Sequence, residues 1–322
     1  MTGGPMAGGP KTGGGLAAWA QLLRVSALSS VPGDALVGAA ATGRAPARGT
    51  ALAAGASLCL YEAGMALNDW ADREEDARER PERPLPSGRI SATAALAAAT
   101  GLTAAGLACA ARAGRLPLAT ATALAATVWA YDLRLKHTPA GPVAMAAARS
   151  LDVLLGATAT TANDDGPPAR AHGPARALGA AAVMGAHTLA VTAVSRREAE
   201  GGAPAVPLAA LGAVGTIAGL LARQRTPLTL AASATYAGTA GRPLAHAALN
   251  PSPPLLQRAV GGGIRAMLPL QAALAARATT TAAAGADAPR NGRSRAAGST
   301  SALVLLGLLP VARRLSRKVS PT

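Results

Sequence analysis

Apolar stretches alternate with short polar connectors along the whole chain. The stretches contain only six of the 31 basic and 16 acidic residues, and the other charges fall in connectors or near the ends. A helix of a soluble protein carries charge along one face throughout its length. Several stretches instead approach the ~20 residues that cross a bilayer. They lie at about 16–41, 49–67, 90–111, 116–131, 141–161, 177–195, 203–222, 227–241, 259–276 and 300–312.

This pattern predicts an all-α, polytopic membrane bundle of about nine transmembrane helices. The range is eight to ten, because 227–241 and 300–312 are short for a span. The stretches are rich in Ala and Gly, which allow helices to pack closely in lipid. A soluble Ala-rich bundle is the alternative, and the lack of charge in 90–111 argues against it. We expect a disordered Gly/Pro-rich tail over 1–15 and a single transmembrane domain over 16–318.

Composition narrows the class of protein. Hydrophobic residues make up 50% and charged residues 15% of the chain, against ~25% charged in soluble domains, and this excludes a disordered protein. Cys59 and Cys109 lie within apolar stretches, which excludes a disulfide scaffold and a cysteine-based zinc site. The net charge of +15 is almost entirely due to arginine, with lysine only at positions 11, 136 and 318. This net charge is weak evidence for an anionic partner. We do not expect the protein to bind nucleic acid.

An acidic segment, residues 68–89, follows the second apolar stretch. Asn68, Asp72 and Asp76 recur every four residues and therefore lie on one face of a helix. Such side chains repel one another unless a cation lies between them, and Mg²⁺ takes one or two carboxylates together with water and substrate phosphate. Nearby arginines can donate to the remaining phosphate oxygens: Arg73, Arg80 and Arg83. The alternative is a solvated connector held by salt bridges.

The acidic segment resembles the first aspartate-rich motif of the UbiA-type intramembrane prenyltransferases. The resemblance lies in Asn68-Asp-x-x-Asp72-x-x-x-Asp76, followed by Arg80-Pro-x-Arg83-Pro-Leu-Pro-Ser-Gly. It implies an all-helical membrane fold around a central cavity, where Mg²⁺ bridges the motif to the diphosphate of a polyprenyl donor. It also implies that a carbon–oxygen bond of the donor ionises to an allylic cation. The expected partners are this donor, a lipophilic or aromatic acceptor and the lipid bilayer.

A Tyr/Lys stretch after the fourth span is similar to the family's next pattern. Here it runs from Tyr131 to Lys136, and Lys136 is either a phosphate ligand or a basic residue that caps a span. The resemblance implies catalytic roles for Asn68, Arg73, Asp72, Asp76 and Lys136. The expected substrate contacts are Arg80, Arg83, Arg149, Tyr131 and Glu198. The metal ligands are expected to be Asn68, Asp72, Asp76 and Glu198.

The family's second aspartate-rich motif is altered in this chain. No Asp occurs between Asp165 and Asp287, and the matching position has Ser195-Arg-Arg-Glu198-Ala-Glu-Gly-Gly. Glu198 is therefore the expected ligand of a second, weaker metal position, and Glu200 is the other acid that could bind there. Ser-Arg-x-Glu followed by Gly-Gly resembles the EboC-like branch of the superfamily. The aromatic acceptor of other family members does not carry over to that branch, so the acceptor stays unidentified.

Two further sets of residues were candidates for chemistry. Arg149 and Asp152 lie three residues apart in a predicted span, where a charge faces a cavity or a partner. Either Arg149 contacts the substrate or the two form a mutual ion pair. The histidines form no metal-ligand pair in the sequence, so we expect them to be core or interface residues: His137, His172, His187 and His246.

The sequence thus predicts a multi-pass protein of the cell membrane that acts as a Mg²⁺-dependent prenyltransferase. If the N-terminus is cytoplasmic, the connectors 68–90, 132–140 and 195–202 all lie on the cytoplasmic side. Two other classes remain open. One is a transferase with another lipid or phosphosugar diphosphate donor, and the other is a non-catalytic membrane accessory or transport protein of the same fold.

Overall fold

The computed structural model describes residues 15–24, 30–162, 174–199, 201–284, 300–303 and 305–307. Every regular element of these residues is helical. The α-helices are α1 (Leu16–Leu22), α2 (Val31–Ala41), α3 (Arg48–Ala71), α4 (Arg73–Glu79), α5 (Ala92–Ala113), α6 (Arg115–Ala130), α7 (Gly141–Thr161), α8 (Leu178–Ser195), α9 (Ala205–Ala222), α10 (Pro227–Leu249) and α11 (Pro253–Ala284). A π-helical segment, Tyr131–Leu135, follows α6, and a 3-10 turn, Pro174–Ala177, precedes α8. The predicted all-α bundle is confirmed.

Six of the described helices are long and apolar enough to cross a membrane. They are α3, α5, α7, α8 with its 3-10 turn, α9 and α11. Three other described helices, α2, α6 and α10, lie in predicted stretches but are not among these six. Of these three, α2 has 11 residues, and α6 has 16 residues but continues directly into the π-helical segment.

Several boundaries differ from the sequence pattern. The stretch 16–41 is not one helix, because α1 ends at Leu22 and α2 begins at Val31. The stretch 227–241 extends to Leu249, since α10 continues through Pro243. The stretch 300–312 is helical where it is described, at 300–303 and 305–307. Residues 1–14 of the predicted tail and 308–318 of the predicted domain lie outside the described residues.

Polar side chains start two of the helices. Ser91 Oγ accepts a hydrogen bond from the backbone N–H of Ala94 at 3.2 Å. Thr226 Oγ1 accepts one from the backbone N–H of Thr229 at 3.2 Å. Each side chain satisfies a donor that the first helical turn leaves without a partner. The Ala-rich α5 and the less apolar α10 therefore begin at defined residues.

Small residues bring α2 and α7 into direct backbone contact. A Cβ atom on Gly38 would meet the backbone of Val153, and one on Gly156 would meet the backbone of Ala35. This pair of helices joins two apolar clusters, one formed with α3, α5 and α6 and the other with α8 to α11. Since lipid supplies no hydrophobic drive between helices, such close fit is what holds the bundle together.

The glycine run 261–263 serves the same purpose in α11. A Cβ atom on Gly262 would meet Pro243 and the carbonyl of Thr239, and one on Gly263 would meet Val191. The run therefore lets α10 and α8 approach α11 closely.

We expect Gly156→Ala to lower the free energy of unfolding by about 1–3 kcal/mol, because the new methyl group meets backbone that cannot move aside. The measurement is the melting temperature of the purified protein in detergent. Gly212→Ala in α9 is the matched control, since a Cβ there meets nothing within 4 Å. Equal melting temperatures for the two variants would refute the role of the α2–α7 contact.

Candidate active site

Three connectors meet at one end of the bundle. The Lys136 ammonium group forms an ion pair with Asp72 across 64 residues of sequence. Arg196 Nη1 donates to the backbone carbonyl of Thr138, and the charge of Arg80 acts on Glu198. The connectors after α3, α6 and α8 therefore lie together, as the sequence predicted for one side of the membrane.

The motif residues keep helical register across the junction of α3 and α4. The backbone N–H of Asp72 donates to the carbonyl of Asn68 at 2.9 Å, and that of Asp76 donates to the carbonyl of Asp72 at 2.8 Å. Both bonds join residues four apart, so the three side chains share one side of the chain, as predicted. Beyond α4 the chain turns through a Pro-rich loop, in which Ile90 N–H donates to the carbonyl of Pro84 at 3.0 Å.

An ionic network fills the space between these connectors. It consists of the carboxylates of Asp69, Asp72 and Asp76 and the cations of Arg24, Arg80, Arg83 and Lys136. Arg83 Nη1 lies 2.7 Å from Asp76 Oδ2 and 3.7 Å from Asp69 Oδ1. Arg80 Nη1 lies 3.7 Å from Asp76 Oδ1, and Arg24 Nη2 lies 3.3 Å from Asp69 Oδ1. Each carboxylate of the network therefore has at least one cationic partner.

Asn68 connects the ionic network to a fourth carboxylate. Its Nδ2 donates to Asp132 Oδ1 at 3.2 Å, which leaves its carbonyl oxygen as a metal-ligand atom. Burial raises the pKa of Asp132 to about 7, against the opposing effects of the Asn68 hydrogen bond and the Lys136 charge. Asp132 is a site residue that the sequence motifs did not predict. Its place between Tyr131 and Lys136 in the Tyr/Lys stretch was the available signal.

The π-helical segment explains how Asp132 and Lys136 reach the same site. The backbone N–H of Lys136 donates to the carbonyl of Tyr131 at 2.9 Å, a bond between residues five apart. One extra residue per turn rotates the side chains that follow, and π segments of this kind are frequent at functional sites. Lys136 thereby contacts Asp72 while Asp132 remains buried beside Asn68.

The residues of the network fit a Mg²⁺–diphosphate pair. Asn68 and the aspartates offer hard oxygen donors, which Mg²⁺ prefers. Lys136, Arg80 and Arg83 offer the donors that phosphate oxygens require. A metal-bound anion would therefore exchange partners with the ion pairs already present.

Arg73, which was predicted to be catalytic, lies outside the network. The Arg73 guanidinium stacks 4.8 Å from the centre of the Trp70 ring and donates to the Trp70 carbonyl at 2.9 Å. As the neighbour of Asp72 it points to another side of the helix, so the structure does not bring it to the proposed phosphate position.

Arg149 belongs to a separate polar cluster inside the bundle. It forms an ion pair with Asp34 of α2, and its Nη2 lies 3.0 Å from the sulfur of Met267. The mutual pair of Arg149 and Asp152 is not found, because Asp152 instead accepts a hydrogen bond from Ser57. Gln271 Nε2 holds the other oxygen of Asp34 at 2.8 Å.

Glu198 and Tyr131 lie at the edge of the site. Glu198 is half-buried, and burial raises the pKa of its carboxyl group while the charge of Arg80 lowers it. Tyr131 begins the π-helical segment next to Asp132. Glu200, Asp164 and Asp165 lie outside the described residues, so Glu198 is the described acid of the altered second motif.

The expectation for the histidines is wrong for His137. Its side chain is 67% exposed, and Nε2 lies 3.9 Å from Asp72 Oδ1. His187 is a core residue as expected, since its ring nitrogens lie 3.0 Å from the Tyr236 hydroxyl and from the Gly263 carbonyl. His246 is exposed on α10, and His172 lies outside the described residues. Only the fold brings His137 to Asp72.

Known proteins resemble this chain over much of its length. The digeranylgeranylglyceryl phosphate synthase of Methanopyrus kandleri is 36% identical over 115 residues, which are 36% of this chain and 41% of that protein. The match thus spans about two fifths of that relative's length. A UbiA homologue from Aeropyrum pernix K1 has a similar structure, with TM-score 0.60, 20% identity and coverage of 77% of this chain and 96% of that chain. A structure of digeranylgeranylglyceryl phosphate synthase has TM-score 0.56, 17% identity and coverage of 80% and 96%.

The two structural matches support the helical fold. The family assignment rests on a separate comparison, in which the model of the UbiA prenyltransferase family matches residues 29–249. That range includes the acidic segment, the Tyr/Lys stretch and Glu198, and it covers α2 to α10. The chain is therefore a multi-pass membrane protein that belongs to the UbiA prenyltransferase family.

Proposed function

We propose that this protein is a Mg²⁺-dependent prenyltransferase that moves a prenyl group from a polyprenyl diphosphate to a lipophilic acceptor. The observation that carries the proposal is the ionic network, in which the Asp72 carboxylate and the Lys136 ammonium group meet at the end of a membrane bundle. A transferase that releases diphosphate needs both charges, carboxylates for the metal and cations for the phosphate oxygens.

The roles follow from the partners that each residue already has. Asn68, Asp72 and Asp76 hold the metal, and Glu198 serves a second, weaker position. Lys136, Arg80 and Arg83 leave their carboxylates to bind the diphosphate, while Tyr131 lines the donor. The chemistry supplied by bound Mg²⁺ is charge neutralisation of the departing diphosphate. Catalysis is then electrostatic stabilisation of a leaving anion in a site that excludes water.

Arg73 and Arg149 take different roles in this proposal from those that the sequence suggested. Arg73 packs on Trp70, and we propose that it stabilises the junction between α3 and α4. Arg149 already shares its charge with Asp34, and Asp152 adds a second carboxylate to the same cluster. These carboxylates already neutralise Arg149, so an added anion would gain little attraction from it. We therefore do not propose that Arg149 binds a phosphate.

The acceptor is proposed from the relatives. Their name describes a synthase of a glyceryl phosphate that carries two geranylgeranyl chains. This favours an acceptor with a glyceryl phosphate type of headgroup over the aromatic acceptor suggested by other members of the family. The chain contains no Phe and only six Trp and Tyr residues, so it also offers little surface on which an aromatic ring could stack. The resemblance to the EboC-like branch stays a prediction.

We expect Asp72→Asn to reduce turnover by at least ~100-fold, because an amide keeps the size of the side chain but cannot neutralise the metal. The measurement is Mg²⁺-dependent release of diphosphate from geranylgeranyl diphosphate by the purified protein in detergent. Competition by phosphosugar diphosphates in the same assay tests the other class of donor.

The matched control for Asp72 is Glu79→Gln, an exposed acid at the end of α4. It should keep wild-type turnover. Wild-type rates in Asp72→Asn would refute the metal site, and absence of diphosphate release from the unmodified protein would favour the non-catalytic class.

We expect Glu198→Gln to shift the Mg²⁺ dependence of turnover to higher concentration. Glu198 is the described acid of the altered second motif, and it faces the charge of Arg80 at the edge of the site. The measurement is a Mg²⁺ titration at saturating donor. A titration that overlays the wild type would show that Glu198 is not a metal ligand.

We propose that the active-site connectors face the cytoplasm, and labelling tests this orientation. Ser87 is exposed in the connector after α4, so Ser87→Cys should react with a membrane-impermeant thiol reagent only after cells are opened. Ala45→Cys is the control, because it is exposed between α2 and α3 at the other end of the bundle. It should react in intact cells. The reverse pattern would overturn the orientation.

A further inference from the structure

Three potential metal ligands meet at the outer edge of the ionic network. Ligand atoms of Asp72, Glu75 and His137 all lie within 4.8 Å of one another. Glu75 comes from α4, and His137 comes from the connector that follows the π-helical segment. The family resemblance assigns no role to Glu75 or His137, and the proposed Mg²⁺ position uses Asp72 alone of the three.

The chemistry of the three groups differs from that of the Mg²⁺ position. Magnesium is a hard cation that prefers oxygen and keeps several waters. An imidazole nitrogen with two carboxylate oxygens is a ligand set that suits zinc. At a given site of this kind, divalent zinc also binds more tightly than manganese or iron in the general order of affinities. His137 therefore makes this corner of the site selective for a transition metal.

The side chains are free to complete such a site. Glu75 is exposed, and the His137 side chain is 67% exposed. Among the described residues neither side chain has a hydrogen-bond partner, and the nearest ionic partner of His137 is Asp72 Oδ1 at 3.9 Å. With metal–ligand bonds of ~2.0–2.2 Å, tetrahedral ligand atoms lie about 3.3 Å apart. Rotation of the exposed Glu75 and His137 side chains can bring the ligand atoms from their present separations to this spacing.

The three-ligand site and the proposed reaction both require Asp72. Its Oδ1 atom is the partner of the Lys136 ammonium group and also lies 3.9 Å from His137 Nε2. A cation held by Glu75 and His137 would draw Asp72 away from Lys136. It would also remove a ligand from the Mg²⁺ position and place a second positive charge beside the lysine.

We propose that Asp72, Glu75 and His137 form an inhibitory zinc site at the mouth of the active site. Zinc binding needs only the geometry of these residues. The inhibition rests on the proposed function, because it acts through the loss of Asp72 from the donor site.

Direct binding tests the first half of the proposal. The purified, chelator-treated protein in detergent is titrated with Zn²⁺ by calorimetry in the presence of excess Mg²⁺ and without any prenyl diphosphate. We expect His137→Gln to weaken Zn²⁺ binding by at least ~10-fold, as loss of a ligand requires. The matched control is His246→Gln, an exposed histidine on α10, which should bind Zn²⁺ as the wild type does. Equal affinities in the two variants would overturn the site.

Inhibition tests the second half. Zn²⁺ should suppress Mg²⁺-dependent diphosphate release, and His137→Gln should raise the inhibitory Zn²⁺ concentration by the same factor as it raises the dissociation constant. Zinc binding without inhibition would refute the regulatory role and leave the metal site standing. If the unmodified protein releases no diphosphate at all, the proposed function fails, and the calorimetric result alone decides the zinc site.

Discussion

Charges that leave water at the end of a membrane bundle must be neutralised by partners, and the whole candidate site depends on this requirement. Asp69 and Asp76 are almost fully buried, and an isolated carboxylate in such surroundings is strongly disfavoured. Arg24 and Arg83 supply the opposite charge. Removal of one partner leaves the other uncompensated, so the connectors after α1, α3 and α4 are tied to one another by electrostatics as well as by packing.

The same requirement makes the site responsive to a ligand. The carboxylates and cations of the site are already paired with one another. A metal-bound diphosphate therefore replaces one set of opposite charges with another and does not have to enter an apolar interior. Lys136 is the clearest example, since it approaches Asp72 from a different connector and is only slightly exposed.

The spacing of residues along the sequence predicted part of this arrangement but not all of it. The four-residue spacing of Asn68, Asp72 and Asp76 predicted a common face, and the backbone hydrogen bonds across the junction preserve it. The alternation of apolar stretches likewise predicted the helices, although α10 and α11 continue through internal prolines and extend beyond the apolar stretches. In contrast, His137 gained its neighbours through a connector whose course depends on the π-helical segment, and no periodicity in the sequence marks that segment.

Arg149 shows the limit of reasoning from one helix. Its spacing from Asp152 suggested a pair within α7, whereas its partner Asp34 is 115 residues away in α2. The difference has a chemical consequence, because Gln271 of α11 binds the same Asp34 and draws a third helix into the cluster. Arg149 is thereby held by groups that cancel its charge, while Lys136 and Arg80 lie where an incoming anion can compete for them. Arg149 thus holds helices together inside the bundle, whereas Lys136 and Arg80 lie in connectors at its end, where they can exchange their carboxylate partners for an anion.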